Sequence, residues 1–207
     1  MRLLDADNAA DYLRATERIG PDERVAVQAL SGGVSNQVLF VAREEGQDFV
    51  LKQARPQLRT PDPWFCTVER IWREVEVLEI CQQVLDRCTS PAEQLAVSIP
   101  RILFVDRENY LFGMTAAPRE HVVWRSELLA GRAAAEIAAA CGRLLARLHL
   151  GTWRDRAIAE RLGDRTIFEQ LRIEPYYEAT ARVNPDAAAW FARLIAQVRA
   201  HPLCLVH

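Results

Sequence analysis

The spacing of apolar positions changes period along the chain, and the changes mark out its elements. Asp5 to about Glu17 reads as a short amphipathic helix, with Asp5 or Asp7 available as N-cap. Strand-like runs follow. Val25–Leu30 leads into the turn-rich break Ser31-Gly32-Gly33-Val34-Ser35. Asn36–Arg43 then alternates, with Val38, Phe40 and Ala42 on one face and Leu39 and Val41 on the other. After the polar turn Glu44–Gln47, a third run, Asp48–Ala54, carries Lys52. Connections this short join antiparallel neighbours and predict a meander.

A proline-containing loop, Arg55–Phe65, separates these strands from the strongest periodic signal in the chain. Between Thr67 and Asp86, the residues Val68, Ile71, Trp72, Val75, Leu78, Gln82 and Leu85 follow the i, i+3, i+4, i+7 rule and predict one long helix. Two more strands, Arg101–Asp106 and Tyr110–Thr115, flank the turn at residues 107–109. Beyond Ala116-Ala117-Pro118 the pattern turns helical. An alanine-rich helix is predicted over Arg132–His149, and another opens at Asn184-Pro185-Asp186 and ends at Pro202. Leu203–His207 reads as the start of a buried strand. Five strands and one main helix followed by helices is a two-lobed α+β plan, divided into residues 1–116 and 117–207.

Composition narrows the class. With 50% hydrophobic and 26% charged residues the chain has the make-up of a globular domain, not of a disordered one. A net charge of −2 offers no electrostatic reason to expect nucleic acid or an anionic membrane as partner. Met1–Asp7 has no uninterrupted apolar core, so no secretory signal is read, and no run approaches the length of a membrane span. The five cysteines are scattered, with no C-x-x-C pair, which suits reduced thiols in a cytoplasmic protein rather than a disulfide framework or a zinc site. No pair of histidines has metal-ligand spacing, and His149 sits at a helix C-terminus, where the dipole favours it.

One skew is more telling. Of the 26 basic side chains all but Lys52 are arginine. Arginine serves almost any exposed basic role, whereas a compact ammonium on a slim stem suits a confined anionic site. Lys52 is therefore a candidate functional residue, and its surroundings in the sequence agree. A Gly-Gly-x-Ser turn between two strands lets backbone N–H groups approach phosphate oxygens without a Cβ in the way, and the Ser35 hydroxyl adds a donor. A lysine on the next strand reaches the same phosphates if a carboxylate holds its ammonium. Glu74, inside the apolar stripe of the long helix, is the leading candidate for that carboxylate, since an unpaired charge there is costly; Glu79, at the opposite edge, is the alternative. The absence of G-x-x-x-x-G-K-[ST] excludes a Walker-type loop.

These segments, in this order, resemble the aminoglycoside-phosphotransferase and methylthioribose-kinase-like superfamily, distant relatives of protein kinases. The resemblance is carried by residues 30–36 (LSGGVSN), 49–54 (FVLKQA), 73–78 (REVEVL), 114–118 (MTAAP), 142–149 (GRLLARLH) and 205–207 (LVH). It implies a protein-kinase-like fold: a five-stranded antiparallel N-terminal lobe with one main helix, then an incomplete helical C-terminal lobe. It also implies ATP and Mg²⁺ as cofactors, and transfer of the γ-phosphate to a hydroxyl of a small molecule. By the same resemblance, Gly32, Gly33 and Ser35 form the loop over the phosphates. Lys52 contacts the α- and β-phosphates and pairs with Glu74. Thr115, Ala116 and Ala117 are the hinge that hydrogen-bonds adenine, with Met114 behind the base. His207 matches the first residue of a His-Gly-Asp catalytic loop; the Asp of that loop and the metal ligands that follow it are absent from the sequence, and no metal ligand is assigned. The resemblance thus implies that the chain holds the ATP-binding part of a phosphotransferase. A non-catalytic, pseudokinase-like nucleotide-binding module or an inactive truncated product is the alternative expectation.

Overall fold

A computed structural model of the chain describes all residues except Gly32, Asp62, 88–96, Pro202 and 206–207. They form two compact units, Met1–Arg143 and Leu144–His207. In the first unit, five strands make one antiparallel sheet: β1 (Val25–Ala29), β2 (Asn36–Arg43), β3 (Phe49–Ala54), β4 (Ile102–Asp106) and β5 (Leu111–Thr115). Their order is β1-β2-β3-β5-β4, which places the Lys52 strand at the centre. The five strands expected between Val25 and Thr115 are all present, to within a residue or two at their ends.

Alternation gives the sheet two distinct faces, because successive side chains point opposite ways and paired residues share a side. On one face Leu39, Val41, Phe49, Leu51 and Leu111 are buried with Leu4, Ala9, Tyr12, Leu13 and Ile19, the segment around helix α1 (Ala9–Ala15). That helix is shorter than the expected Asp5–Glu17. Its approach is a turn held by the Asp5 carboxylate, which accepts from the amides of Asp7 and Asn8 at 3.0 Å. Tyr12 donates its hydroxyl to Asp106 Oδ2 (2.6 Å). Gln53, 2% exposed, accepts from Leu4 N (2.8 Å) and donates to Arg2 O (2.7 Å) and Asn109 O (2.9 Å), so it ties the N-terminal segment and the β4–β5 turn to the central strand.

The opposite face carries Ala54 and Phe112, which bury Ile71 and Val75 of helix α2 (Arg70–Asp86). Val68, Trp72 and Leu78 pack around them as the periodicity requires. Residues 67–70 form a tight turn ahead of the helix, with Arg70, Ile71 and Trp72 bonded back to the carbonyls three residues earlier. In the last two turns the fully buried side chains are Ile80, Cys81 and Val84, with Gln82 and Leu85 only partly covered. The expected stripe therefore rotates along α2. A 3.6-residue period drifts against any fixed set of positions, and the last turns extend past the residues that pack on the sheet.

After β5 the chain runs through Ala116–Pro118 to helix α3 (Trp124–Leu129) and then α4 (Ala135–Thr152). Arg119 anchors this exit. Its guanidinium binds the Asp48 carboxylate in bidentate fashion (2.6 and 2.7 Å) and reaches Arg43 O (3.0 Å).

In the second unit Asp155 caps α5 (Arg156–Leu162) by accepting from Ile158 N (3.0 Å). Helix α6 (Thr166–Phe168) then widens into a π-helical stretch, Glu169–Glu178, before α7 (Ala179–Val183). Pro175 lies inside that stretch; having no N–H and a ring that crowds the preceding turn, it disfavours a regular α-helical ladder there. Helix α8 (Ala188–Ala200) returns along it, with Arg199 binding Glu169 through both carboxylate oxygens (2.6 and 2.9 Å). Leu203–Leu205 do not form the expected strand. Leu203 O accepts from Arg154 N (2.8 Å) and Leu205 N donates to Thr152 Oγ1 (3.0 Å), so this segment is bonded to the end of α4. The remainder of that expected strand lies outside the described residues.

Candidate functional site

Lys52 lies at the sheet's centre with its side chain on the α2 face. The register pairs it with Val38 on β2 and Phe112 on β5, and the neighbouring row pairs Val50 with Phe40 and Met114. Buried Phe112 supports the deeper end of this face, while Val38, Phe40, Lys52 and Met114 are only partly covered. The result is an apolar patch with one cation beside it.

Lys52 Nζ donates to Glu74 Oε1, and the two side chains keep 22% and 33% exposure. The pair follows from the fold: Glu74 stands between the buried positions Ile71 and Val75 on the stripe that α2 lays against β3, so its carboxylate is carried toward the central strand. Glu79 is exposed farther along the helix. Glu74 is also reached by Asn36, the first residue of β2, whose Nδ2 donates to Oε2 (3.5 Å).

The glycine turn joins β1 to β2. Gly33 and Ser35 lie between β1 and β2, and a Cβ built on Gly33 would meet nothing within 4 Å. Nothing in the chain itself thus demands a glycine there, which agrees with a position kept bare for a ligand. Gly32 lies outside the described residues. The loop 55–65 closes on itself through Leu58 N and Trp64 O (2.9 Å) and touches the turn through Arg59 N and Val34 O (2.8 Å). Beyond Met114, Thr115 ends β5 with its side chain on the opposite face, paired with Phe49, and Ala116 and Ala117 follow it without regular structure. Thr115 N already donates to Arg101 O (2.9 Å).

A model of the phosphotransferase enzyme family, APH, matches residues 26–207, from β1 onward. The chain belongs to this phosphotransferase family. No curated protein matches it. The fold of the chain is accordingly kinase-like: a five-stranded antiparallel sheet with a helix against it, followed by helices. Of the residues singled out from the sequence, the structure brings Lys52 and Glu74 into contact and sets Met114 on the same face. It places Gly33 and Ser35 in the turn just ahead of β2 and Thr115–Ala117 where β5 ends. His207 lies outside the described residues.

Sequence reasoning missed two members of this constellation, Asn36 and Arg70. Arg70, 5% exposed, stands one helical turn before Glu74 and binds the glycine turn's last carbonyl, Ser35 O. Burial pushes its guanidinium below the usual range, with Cys66 and then Glu74 opposing the shift. The signal was present in the i, i+4 spacing of Arg70 and Glu74 beside the apolar stripe. No described helix of the chain is long and apolar enough to cross a membrane.

Proposed function

We propose that this phosphotransferase binds Mg-ATP on the face that carries Lys52 and belongs to an enzyme that transfers the γ-phosphate to a hydroxyl of a small molecule. The observation that carries this reading is the contact of the chain's single lysine with Glu74, together with open space around Gly33 in the turn ahead of β2. An ammonium held by a carboxylate is already aimed, so it meets phosphate oxygens without first being ordered.

The surrounding residues fit a nucleotide in the same order. The glycine turn ahead of β2 offers backbone N–H groups to phosphates. Val38, Phe40, Val50 and Met114 offer an apolar surface to a base. With Thr115 N committed to Arg101, the backbone of Ala116 and Ala117 is left to read the edge of the adenine. The bound nucleotide supplies the transferable phosphoryl group and Mg²⁺ neutralises its charge, while Lys52 screens the α- and β-phosphates and Glu74 fixes Lys52. His207 keeps the role that the resemblance implies, at the start of the catalytic loop, and the lobe boundary falls after residue 116. Cys66 and Cys81 are buried, which suits thiols kept in the reducing cytoplasm.

Titration of the purified chain with Mg-ATP by calorimetry tests the reading, with Lys52→Ala as control. Saturable binding that the substitution weakens supports it. Equal affinity of the two chains removes Lys52 from the site. Mg-ATP binding with no transfer to any of a panel of hydroxyl acceptors leaves the non-catalytic, nucleotide-binding alternative.

A further inference from the structure

Arg70 is a buried charge whose guanidinium joins three separate parts of the chain. Nη1 donates to Cys66 O (3.2 Å) and Thr67 O (2.7 Å), just ahead of α2. Nη2 donates to Arg55 O (2.8 Å) beyond the end of β3, to Ser35 O at the end of the glycine turn, and to Asn36 Oδ1 (3.3 Å). Burying a cation is costly unless acceptors replace its water; here main-chain carbonyls do so for Nη1 and Nη2, while Nε is buried without a partner among the described residues. Packing alone does not ask for it. A leucine or methionine would fill a position beside Ile71 without that cost, whereas only a planar fork of donors reaches the loop, the strand end and the helix start together.

Asn36, 8% exposed, extends the network. Its Oδ1 takes the Arg70 N–H, and its Nδ2 faces Glu74 Oε2 at 3.5 Å, the oxygen that Lys52 does not bind. The amide can serve both neighbours in one orientation only. Flipped, it would set an NH₂ against the guanidinium and a carbonyl against the carboxylate. Arg70 and Glu74 lie four residues apart on one face of α2, and Asn36 spans the gap between them. A continuous path therefore runs from the glycine turn through Arg70 and Asn36 to Glu74 and Lys52.

We infer that Arg70 and Asn36 are positioning residues that hold the glycine turn and the Lys52–Glu74 pair in one register, so that loop amides and ammonium reach the phosphates of a bound nucleotide together. The inference rests on the nucleotide reading of the Lys52 face. The hydrogen bonds of both residues go to the glycine turn, the adjoining loop and Glu74, so the phosphates, and not the base, feel their loss.

The test uses the full chain with Asn36→Leu, which removes both side-chain hydrogen bonds at similar volume, Asn36→Asp, which sets a carboxylate against Glu74, and Arg70→Lys, which keeps the charge and loses the fork. Mg-ATP affinity is measured by calorimetry, adenosine affinity by ligand-observed NMR, and folding by thermal melting. Loss of hydrogen bonds that aim charged groups predicts Mg-ATP binding weakened about tenfold or more in all three variants, with adenosine affinity changed by less than about twofold. Unchanged Mg-ATP affinity in folded Asn36→Leu overturns the inference alone, and so does an equal loss for ATP and adenosine, which would mark a general loosening. Should Arg70→Lys fail to fold, the two Asn36 variants decide. Absence of Mg-ATP binding by the unsubstituted chain overturns the nucleotide reading and this inference with it.

Discussion

Replacing Lys52 by methionine separates what the lysine does for a ligand from what it does for the fold. Methionine keeps the unbranched stem beside the cross-strand neighbours Val38 and Phe112 and deletes the ammonium. The Lys52 and Glu74 side chains retain 22% and 33% exposure, so water and salt reach both charges. At an effective dielectric of about 20, an ion pair at contact has a gross attraction of roughly 4 kcal/mol. Hydration and side-chain entropy cancel most of that, and pairs with this degree of exposure contribute about 0–1 kcal/mol net. For a chain of this size the melting temperature should then fall by less than about 4 °C. Binding asks more of the lysine. A charge-assisted hydrogen bond to phosphate is worth about 1.5–3 kcal/mol, which weakens Kd for Mg-ATP by about tenfold to 150-fold when it is lost. Calorimetric titration at low and high salt, beside thermal melting, measures both effects, and the gap between the chains should narrow as salt rises. An unchanged Kd would refute the phosphate role of Lys52. A melting temperature lowered by about ten degrees or more would refute the reasoning that its ion pair is marginal for stability.

Other substitutions probe other links. Gly33→Ala places a methyl group in open space at a residue without positive φ, so the fold should keep its stability or gain up to about 1 kcal/mol, while Mg-ATP affinity falls; unaltered affinity would take Gly33 out of the phosphate loop. Gly113→Ala would put a Cβ 2.4 Å from the Phe104 ring, and denaturant unfolding should show a loss of about 1–3 kcal/mol. A neutral outcome there would mean that the Phe49–Phe104 edge-to-face contact repacks freely. The Arg119 guanidinium and the Arg43 amide hold the Asp48 carboxyl down to about 2, against about 4 for a free aspartate. A carboxyl depressed in the folded state stabilises fully above its unfolded value and stops doing so as pH falls through its folded value. Asp48→Asn should therefore lose stability less steeply than the parent chain between about pH 4 and 2; parallel melting curves over that range would contradict it.

Much of the fold was legible because its signals are local. Alternation in Asn36–Arg43 and Phe49–Ala54, with short polar turns between, specifies neighbouring antiparallel strands through the geometry of the pleat alone. The stripe from Val68 to Val75 specifies a helix and the side it buries. Helices α3 and α5–α7 were not legible, since they are short, and Pro175 interrupts the periodicity where the chain becomes π-helical. The strand expected at Leu203–Leu205 failed for a related reason. An apolar run does not state its hydrogen-bonding partner, and here the partner is the end of α4. Gln53 was read only as a member of the β3 run. Its role appears when the residue next to Lys52 turns to the opposite face and binds a segment about fifty positions away.

The sequence by itself determined that Lys52 stands alone among arginines, that it lies on a strand behind a glycine turn, and that a carboxylate on the following helix was needed to hold it. These follow from composition, period and the cost of an unpaired charge, all readable along one line. Tertiary structure decided between Glu74 and Glu79, because only the angle at which α2 crosses β3 sets which carboxylate meets the ammonium. It also decided that Asn36 and Arg70 join the group. Their contacts span 34 to 38 positions of chain, and no local pattern encodes a distance that exists only after the sheet and helix have packed.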